Sequence, residues 1–215
     1  MKKWMWSKAE NGGQLSPKVL LLYKAVIDLL NENVDVNTLK VSDITQRAGI
    51  GKGTAYDYFE SKEEVIIRGI LYYLNRFLAE VEDMLQKQED FAGQITYLFD
   101  LIDENLHENE CLLRVVHLLL GSSQISTYLQ QTVHSGNAKT PLDVLDRIIV
   151  RAMESGELKK EYPISYIVYT ICARLLTYAA LADFKEEDRP VYSRSVDIRQ
   201  MRELTYQGII GEFCV

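Results

Sequence analysis

Proline and glycine are scarce, at 4 and 12 of 215 residues. So few breakers exclude a collagen-like or turn-rich chain and favour long helices. Cys111, Cys172 and Cys214 are too few and too scattered for a disulfide scaffold, so a reducing cytoplasm is the expected location. The opening MKKWMWSKAENGGQ lacks an apolar core, and no signal peptide is read there. The most apolar long run, 164–182, is interrupted by Arg174, which is costly in lipid; it reads as a buried or interface helix, with no membrane partner. The period-2 alternation of half-buried strands is missing throughout. Histidine occurs three times, and no Ser/His/Asp or Cys/His set stands out, so no catalytic residue, cofactor or metal is expected.

What is present is an ordinary globular composition, 47% hydrophobic and 26% charged, which excludes wholesale disorder. The length suits one large domain or two small ones and is enough to bury a core. The net charge of −7 is unevenly spread. Residues 1–62 carry 9 Lys+Arg against 7 Asp+Glu, whereas the rest carries 15 against 24. An acidic protein can still bind nucleic acid through one neutral-to-basic face.

Ser16-Pro17 opens a first helix, with serine as N-cap and proline at the first helical position. Leu22, Val26, Leu29 and Leu30 then follow on one face. A short helix carries Val41, Ile44 and Ala48 inward. Gly49 ends it in the left-handed conformation that a sharp helix–helix turn needs. A second short helix over 51–59 turns Ala55 and Phe59 inward. Ser61 and Glu64 form a capping box for a long amphipathic helix from 62 to about 87. Further helices are expected at about 91–107, 111–133, 141–156, 163–183 and 197–213. The fold class is all-α: an N-terminal three-helix helix-turn-helix head, then a larger helical body. The expected head core is Leu22, Val26, Leu29, Val41, Ile44, Ala48, Ile50, Ala55, Phe59 and Val65.

Two short helices joined by a tight glycine turn suit one geometric task. The second must project its outer face into a major groove about 12 Å wide while its inner face is held rigid. The run from Ile44 to Phe59, ITQRAGIGKGTAYDYF, followed by Ser61-Lys62-Glu63-Glu64-Val65, resembles the DNA-binding signature of TetR-family transcriptional regulators. The resemblance implies a head over 14–77 and a ligand-binding, dimerising body over 78–215.

By position, Lys52, Tyr56 and Lys62 are implied backbone contacts, while Gly53 and Thr54 sit where the helix approaches base edges. Lys40 and Ser42 at the start of the second helix, and Gly51, Asp57 and Tyr58 on the recognition helix, complete the candidate DNA set. The spacing agrees, since Lys52 and Tyr56 are i, i+4 on one flank, about 60–100° from Ala55. Asp57 can accept from a cytosine amino group or turn sideways to a partner such as Lys62. Tyr56 and Tyr58 alternatively pack the head.

The resemblance also implies a small-molecule effector pocket in the body, with Tyr97, Phe99, Leu113, His117, Tyr128, Tyr166 and Tyr169 as candidate lining; each is alternatively core. The acidic, tyrosine-rich body favours apolar or cationic ligands, with Asp100, Asp103 or Glu104 as counter-charge. Arg114 and Arg174 can meet an anion or form internal salt bridges. The last two helices are expected to form a four-helix homodimer interface through Leu175, Leu176, Tyr178, Ala179, Ala182, Met201, Leu204, Ile209 and Phe213. The expected function is a one-component regulator, a repressor released from a palindromic double-stranded operator by a small molecule. The rival is a helical interaction protein whose helix-turn-helix is only scaffold.

Two lookalikes fail. Gly49-x-Gly51-Lys52-Gly53-Thr54 lacks the Gly-Lys-Ser/Thr order of a phosphate loop and follows a helix. Glu104, His107 and Cys111 match no zinc spacing.

Overall fold

Pro17 opens the first long helix, yet the Ser16 hydroxyl beside it does not cap that helix. It shares a hydrogen bond of 3.2 Å with the Tyr58 hydroxyl, 42 residues away. In the computed structural model, residues 10–11, 14–32, 34–108, 127, 130–131, 139–183 and 197–215 are described. They are all-α in class, with one departure from the sequence reading. A two-residue antiparallel pair, β1 (Glu10–Asn11) with β2 (Gln14–Leu15), precedes the helices. Strands so short carry no alternation to read.

Eight helices follow among the described residues: α1 (Pro17–Asn31), α2 (Val41–Ala48), α3 (Lys52–Tyr58), α4 (Lys62–Leu85), α5 (Phe91–Glu108), α6 (Pro141–Ser155), α7 (Ile164–Asp183) and α8 (Ile198–Phe213). The expected helix at 111–133 lies outside the described residues except at 127 and 130–131, which are helical. Two compact units divide between Arg76 and Phe77, inside α4.

In the head, α1, α2 and α3 pack together. Leu22, Val26 and Ile44 are fully buried, with Leu29, Val41, Ala55, Phe59 and Val65 nearly so. Ala48 and Ile50 are half-buried. Each fully buried Leu or Ile contributes about 1.5–3 kcal/mol. α4 comes close to α1 because Gly69 has no side chain; a Cβ there would stand 3.4 Å from Tyr23 Cα and Val26 Cβ.

In the body, α5, α6, α7 and α8 pack pairwise. Phe91, Ile95, Phe99, Ile149, Ile171 and Phe213 fill the centre. A reciprocal capping box starts α6: Asp143 N–H donates to Thr140 Oγ1 (3.2 Å), and Thr140 N–H to Asp143 Oδ2 (2.7 Å). Gly156, at φ +83°, ends it. The C-terminal residues are tied to the α6–α7 link: Lys159 N–H donates to Phe213 O (2.8 Å) and Val215 N–H to Glu157 O (3.0 Å). The Lys159 ammonium donates to the carbonyls of Gly211 and Glu212, where the end of α8 leaves acceptors unsatisfied.

Residues 164–182 are long and apolar enough to cross a membrane by composition. Ile167, Val168, Ile171, Leu175, Tyr178 and Ala179 nevertheless form one buried face, and Arg174 pairs with Glu212 of α8.

Candidate nucleic-acid interface

The turn between α2 and α3 aims the whole site. Gly49 sits at φ +67°, ψ +30°. Ile50 N–H donates to Thr45 O (2.9 Å) and Gly49 N–H to Gln46 O (3.2 Å), the paired bonds of a Schellman cap. Thr45, itself buried, donates its hydroxyl to Ser42 O. At the start of α2, Asp43 accepts from Lys40 N–H at 2.9 Å. The Lys40 side chain is exposed, and the Ser42 hydroxyl is directed to Asp43 Oδ1.

On α3, Ala55 is buried at 1% exposure while Tyr56 is 51% exposed. Lys52, Gly53 and Asp57 are exposed as well, and Thr54 is half-buried. Gly51 is the N-cap, with extended backbone. Nothing stands within 4 Å of a Cβ built at Gly53, so the backbone is open to close approach there. One helix therefore presents a cation, a phenol, a bare backbone and a hydroxyl away from the core, a set able to meet phosphates and base edges.

Four features on and beside this surface have contacts that the sequence did not specify. Lys62 is not a free cation: its ammonium donates to Asn37 O (3.1 Å) and lies 3.8 Å from Glu63. It braces the turn before α2, where Asn37 N–H and Thr38 hydroxyl are held by Asp35. Asp57 does not pair with Lys62, and among the described residues it has no ion-pair partner. Tyr58 is half-buried and its hydroxyl is committed to Ser16. The Ser61–Glu64 box is only half reciprocal. Glu64 N–H donates to Ser61 Oγ (3.1 Å), but the carboxylate takes Glu60 N–H and pairs with Arg68.

Sequence reasoning missed Arg47, which donates both guanidinium nitrogens to Glu32, one at 2.7 Å. That bond holds the Glu32 carboxyl below the usual carboxylate range. It ties the end of α2 to the end of α1, and it neutralises a cation that would otherwise compete for phosphate.

Of the body residues proposed from sequence as pocket lining, four are described: Tyr97, Phe99, Tyr166 and Tyr169. Phe99 is fully buried, edge-on to Tyr178 at 5.1 Å. Tyr97 is half-buried, and burial with Glu104 and Glu80 nearby raises its phenol. Tyr166 and Tyr169 are exposed on the outer face of α7 among the described residues. Leu113, His117 and Tyr128, with Arg114 and Cys111, lie outside the described residues.

Asp100 and Asp103 are not counter-charges in waiting. Both pair with Arg202 of α8, Asp103 at 2.6 Å, and Asp103 also accepts from the Tyr178 hydroxyl at 2.5 Å. Burial and that carboxylate hold the Tyr178 phenol well above its usual value. Arg174 pairs with Glu212 through Nη2, the internal salt bridge that was one of its two readings, while its Nη1 is buried with no hydrogen-bond partner among the described residues.

The interface residues expected in the last helices divide too. Leu175, Tyr178, Ala179, Ile209 and Phe213 are buried within the chain itself, and Ala182 and Met201 are half-buried. Leu176 and Leu204 are exposed. The outer stripe is Tyr166, Tyr169, Ala173, Leu176 and Ala180 of α7, with Leu204, Gly208 and Gly211 of α8. Apolar character alone does not separate the two faces of each helix.

Residues 33–68 match the family model for bacterial regulatory proteins of the tetR family. The chain is 26% identical over 147 residues to the fatty acid metabolism regulator protein of Bacillus subtilis (strain 168), covering 68% of this chain and 74% of that one. Among solved structures it is similar to the transcriptional regulator FadR from Bacillus subtilis in complex with stearoyl-CoA. There the TM-score is 0.64 at 16% identity, over 89% of this chain and 97% of that one. A SmeT–triclosan complex gives a TM-score of 0.66 at 20% identity over 93% of each.

Proposed function

We propose that the chain is a ligand-responsive DNA-binding transcriptional regulator of the TetR type, a homodimeric repressor released from a palindromic operator by an acyl thioester. The observation that carries the DNA assignment is the flank of α3. Lys52 and Tyr56 are exposed on it, Ala55 is buried behind it, and the left-handed Gly49 fixes its angle.

The contact set is Lys52 and Tyr56 on phosphates and Gly53 and Thr54 towards base edges, with Lys40, Ser42 and Gly51 at the rim. Asp57 faces a cytosine amino group. Tyr58 and Lys62 brace the head from behind. The head is residues 14–77 and the body 78–215, with α4 running through the division.

Two copies pair through the outer stripe of α7 and α8, where tyrosines, leucines and small residues are left uncovered. Pairing sets two heads about 34 Å apart, or a small multiple of that, so that both reach one face of the duplex. Effector binding in the body shifts α4 and changes that spacing, with a coupling of about 1–3 kcal/mol.

The effector class is drawn from relatives named for fatty acid regulation or bound to stearoyl-CoA. It is also supported by the engagement of Asp100 and Asp103 with Arg202, which removes two of the charges a cation would seek. A DNA target places the work in the cytoplasm, and the proposal involves no enzymatic step. The test uses a duplex selected from a random pool on the full chain. The chain should hold that duplex and release it when stearoyl-CoA is added. Retention in the face of every acyl thioester would sink the effector class and leave the DNA reading standing.

A further inference from the structure

One carboxylate fastens the body end of α4. The helix begins in the first compact unit and ends in the second, and Glu82 lies in the second together with both of its partners. Leu78, Val81 and Leu85 are buried at the spacing of one helical face. Glu82, at i+4 from Leu78, stands on the same side with its side chain 16% exposed, so its charge needs partners. It has one for each oxygen. The Lys139 ammonium donates to Oε2, and the Arg147 guanidinium meets Oε1 at 2.6 Å. Lys139 directly precedes the Thr140 cap of α6, and Arg147 lies in the second turn of that helix. Of the other acids nearby, Asp143 is taken by the N–H and hydroxyl of Thr140, Asp83 pairs with Lys87, and Glu80 and Asp146 are exposed.

The two helices are anchored differently. α6 buries Val144, Leu145, Ile148, Ile149 and Ala152 and packs on α5 and α7. α4 continues from the head, and its apolar side tolerates sliding because apolar contact has no direction. Hydrogen-bonded ion pairs are directional and short, so they hold one arrangement and are lost after a displacement of about 1 Å. An acyl chain that enters the body takes volume among buried side chains, and a close-packed interior yields by moving elements.

We propose that Glu82 is a positioning residue for the DNA response: its clasp on Lys139 and Arg147 keeps α4 in the arrangement that holds the operator, and effector entry opens that clasp. This rests on the reading that an acyl thioester in the body shifts α4. Whatever favours the DNA-holding arrangement opposes the effector-bound one. Loss of the clasp therefore moves the two affinities in opposite directions, whereas a general loss of stability weakens both.

The test compares Glu82→Gln, Arg147→Met, Arg147→Lys and Lys87→Met in the full chain. Operator affinity is read by anisotropy on the selected duplex without effector, and stearoyl-CoA affinity by calorimetry without DNA. Glu82→Gln and Arg147→Met should lower the first and raise the second, moving their ratio by about fivefold or more. Arg147→Lys, which keeps a cation, should recover most of the native ratio. Lys87→Met breaks only the exposed pair with Asp83 and should change neither affinity. If Glu82→Gln loses its far-UV helical signal, Arg147→Met decides alone, since that side chain is 49% exposed. Affinities that fall together, or that stay as in Lys87→Met, overturn the proposal and leave the effector reading intact. A native chain that holds the duplex but binds no stearoyl-CoA overturns both.

Discussion

Exposure decides which single residues can be changed without unfolding the head. Lys52 and Tyr56 are exposed on α3, so Lys52→Ala and Tyr56→Ala should leave the far-UV circular dichroism intact while weakening operator binding. For Lys52→Ala the salt slope should drop by about one, as one phosphate contact is lost. Unchanged affinity in both variants would remove α3 from the groove. Gly49→Ala tests the turn instead. A Cβ there meets nothing within 4 Å, so any cost comes from the left-handed backbone, at φ +67°. Stability should fall by about 1 kcal/mol in a urea titration; no loss would mean that the turn relaxes freely. These positions were legible because each follows from local chemistry, namely a helical flank or a glycine after a periodic run. The destinations of Lys62, Tyr58 and Ser16 were not. A lysine at a helix start reads as a phosphate contact until the carbonyl of Asn37 is seen within reach of it.

At the scale of helices, boundaries were carried by caps and breakers and agree closely with the structure. Pro17 and Gly49 mark them in the sequence, whereas the Thr140–Asp143 box and Gly156 that bound α6 emerge only in the structure. What periodicity could not give is the pairing of distant helices. Arg202 meets Asp103 and Asp100 across 99 and 102 residues, and no local pattern announces such a clasp. The faces of α7 and α8 were blurred for a similar reason. α7 is apolar nearly all round, and α8 carries apolar residues on more than one face between its charged ones, so an inward and an outward stripe look alike until packing separates them. The outward one yields a prediction. Leu204 is 62% exposed in the single chain, so Leu204→Glu should spare the fold and place two carboxylates near the two-fold axis of the dimer. Sedimentation should show the dimer dissociation constant rising at least tenfold, about 1.4 kcal/mol. Leu21→Glu, also exposed but on α1, should leave it unchanged. Equal behaviour of the two variants would move the interface elsewhere.

At the scale of the whole molecule, the charge pattern of the sequence favours a cationic effector whereas the proposed effector is an acyl thioester, and the two separate for a physical reason. Net negative charge suggests an affinity for cations, but net charge acts mainly on solubility, and three of the body's carboxylates are already paired. Asp100 and Asp103 hold Arg202, and Glu212 holds Arg174. A lipophilic cation thus finds no unpaired carboxylate among these residues. An acyl chain needs only apolar surface, and its charged head can remain at the protein boundary, where solvent lowers the cost of the charge. Thermal-shift measurements on the full chain should therefore rank long acyl thioesters above neutral aromatics, and neutral aromatics above lipophilic cations. A ligand at a hundred times its dissociation constant adds about 2.7 kcal/mol to stability, enough to move the melting temperature by several degrees. The same compounds, in the same order, should release DNA. If cations give the largest shift, a carboxylate outside the Arg202 and Arg174 pairs must bind them, and the acyl-thioester assignment fails. If acyl thioesters stabilise the chain but DNA stays bound, the body takes the ligand without transmitting it through α4, and the repressor-release mechanism fails while the ligand class stands.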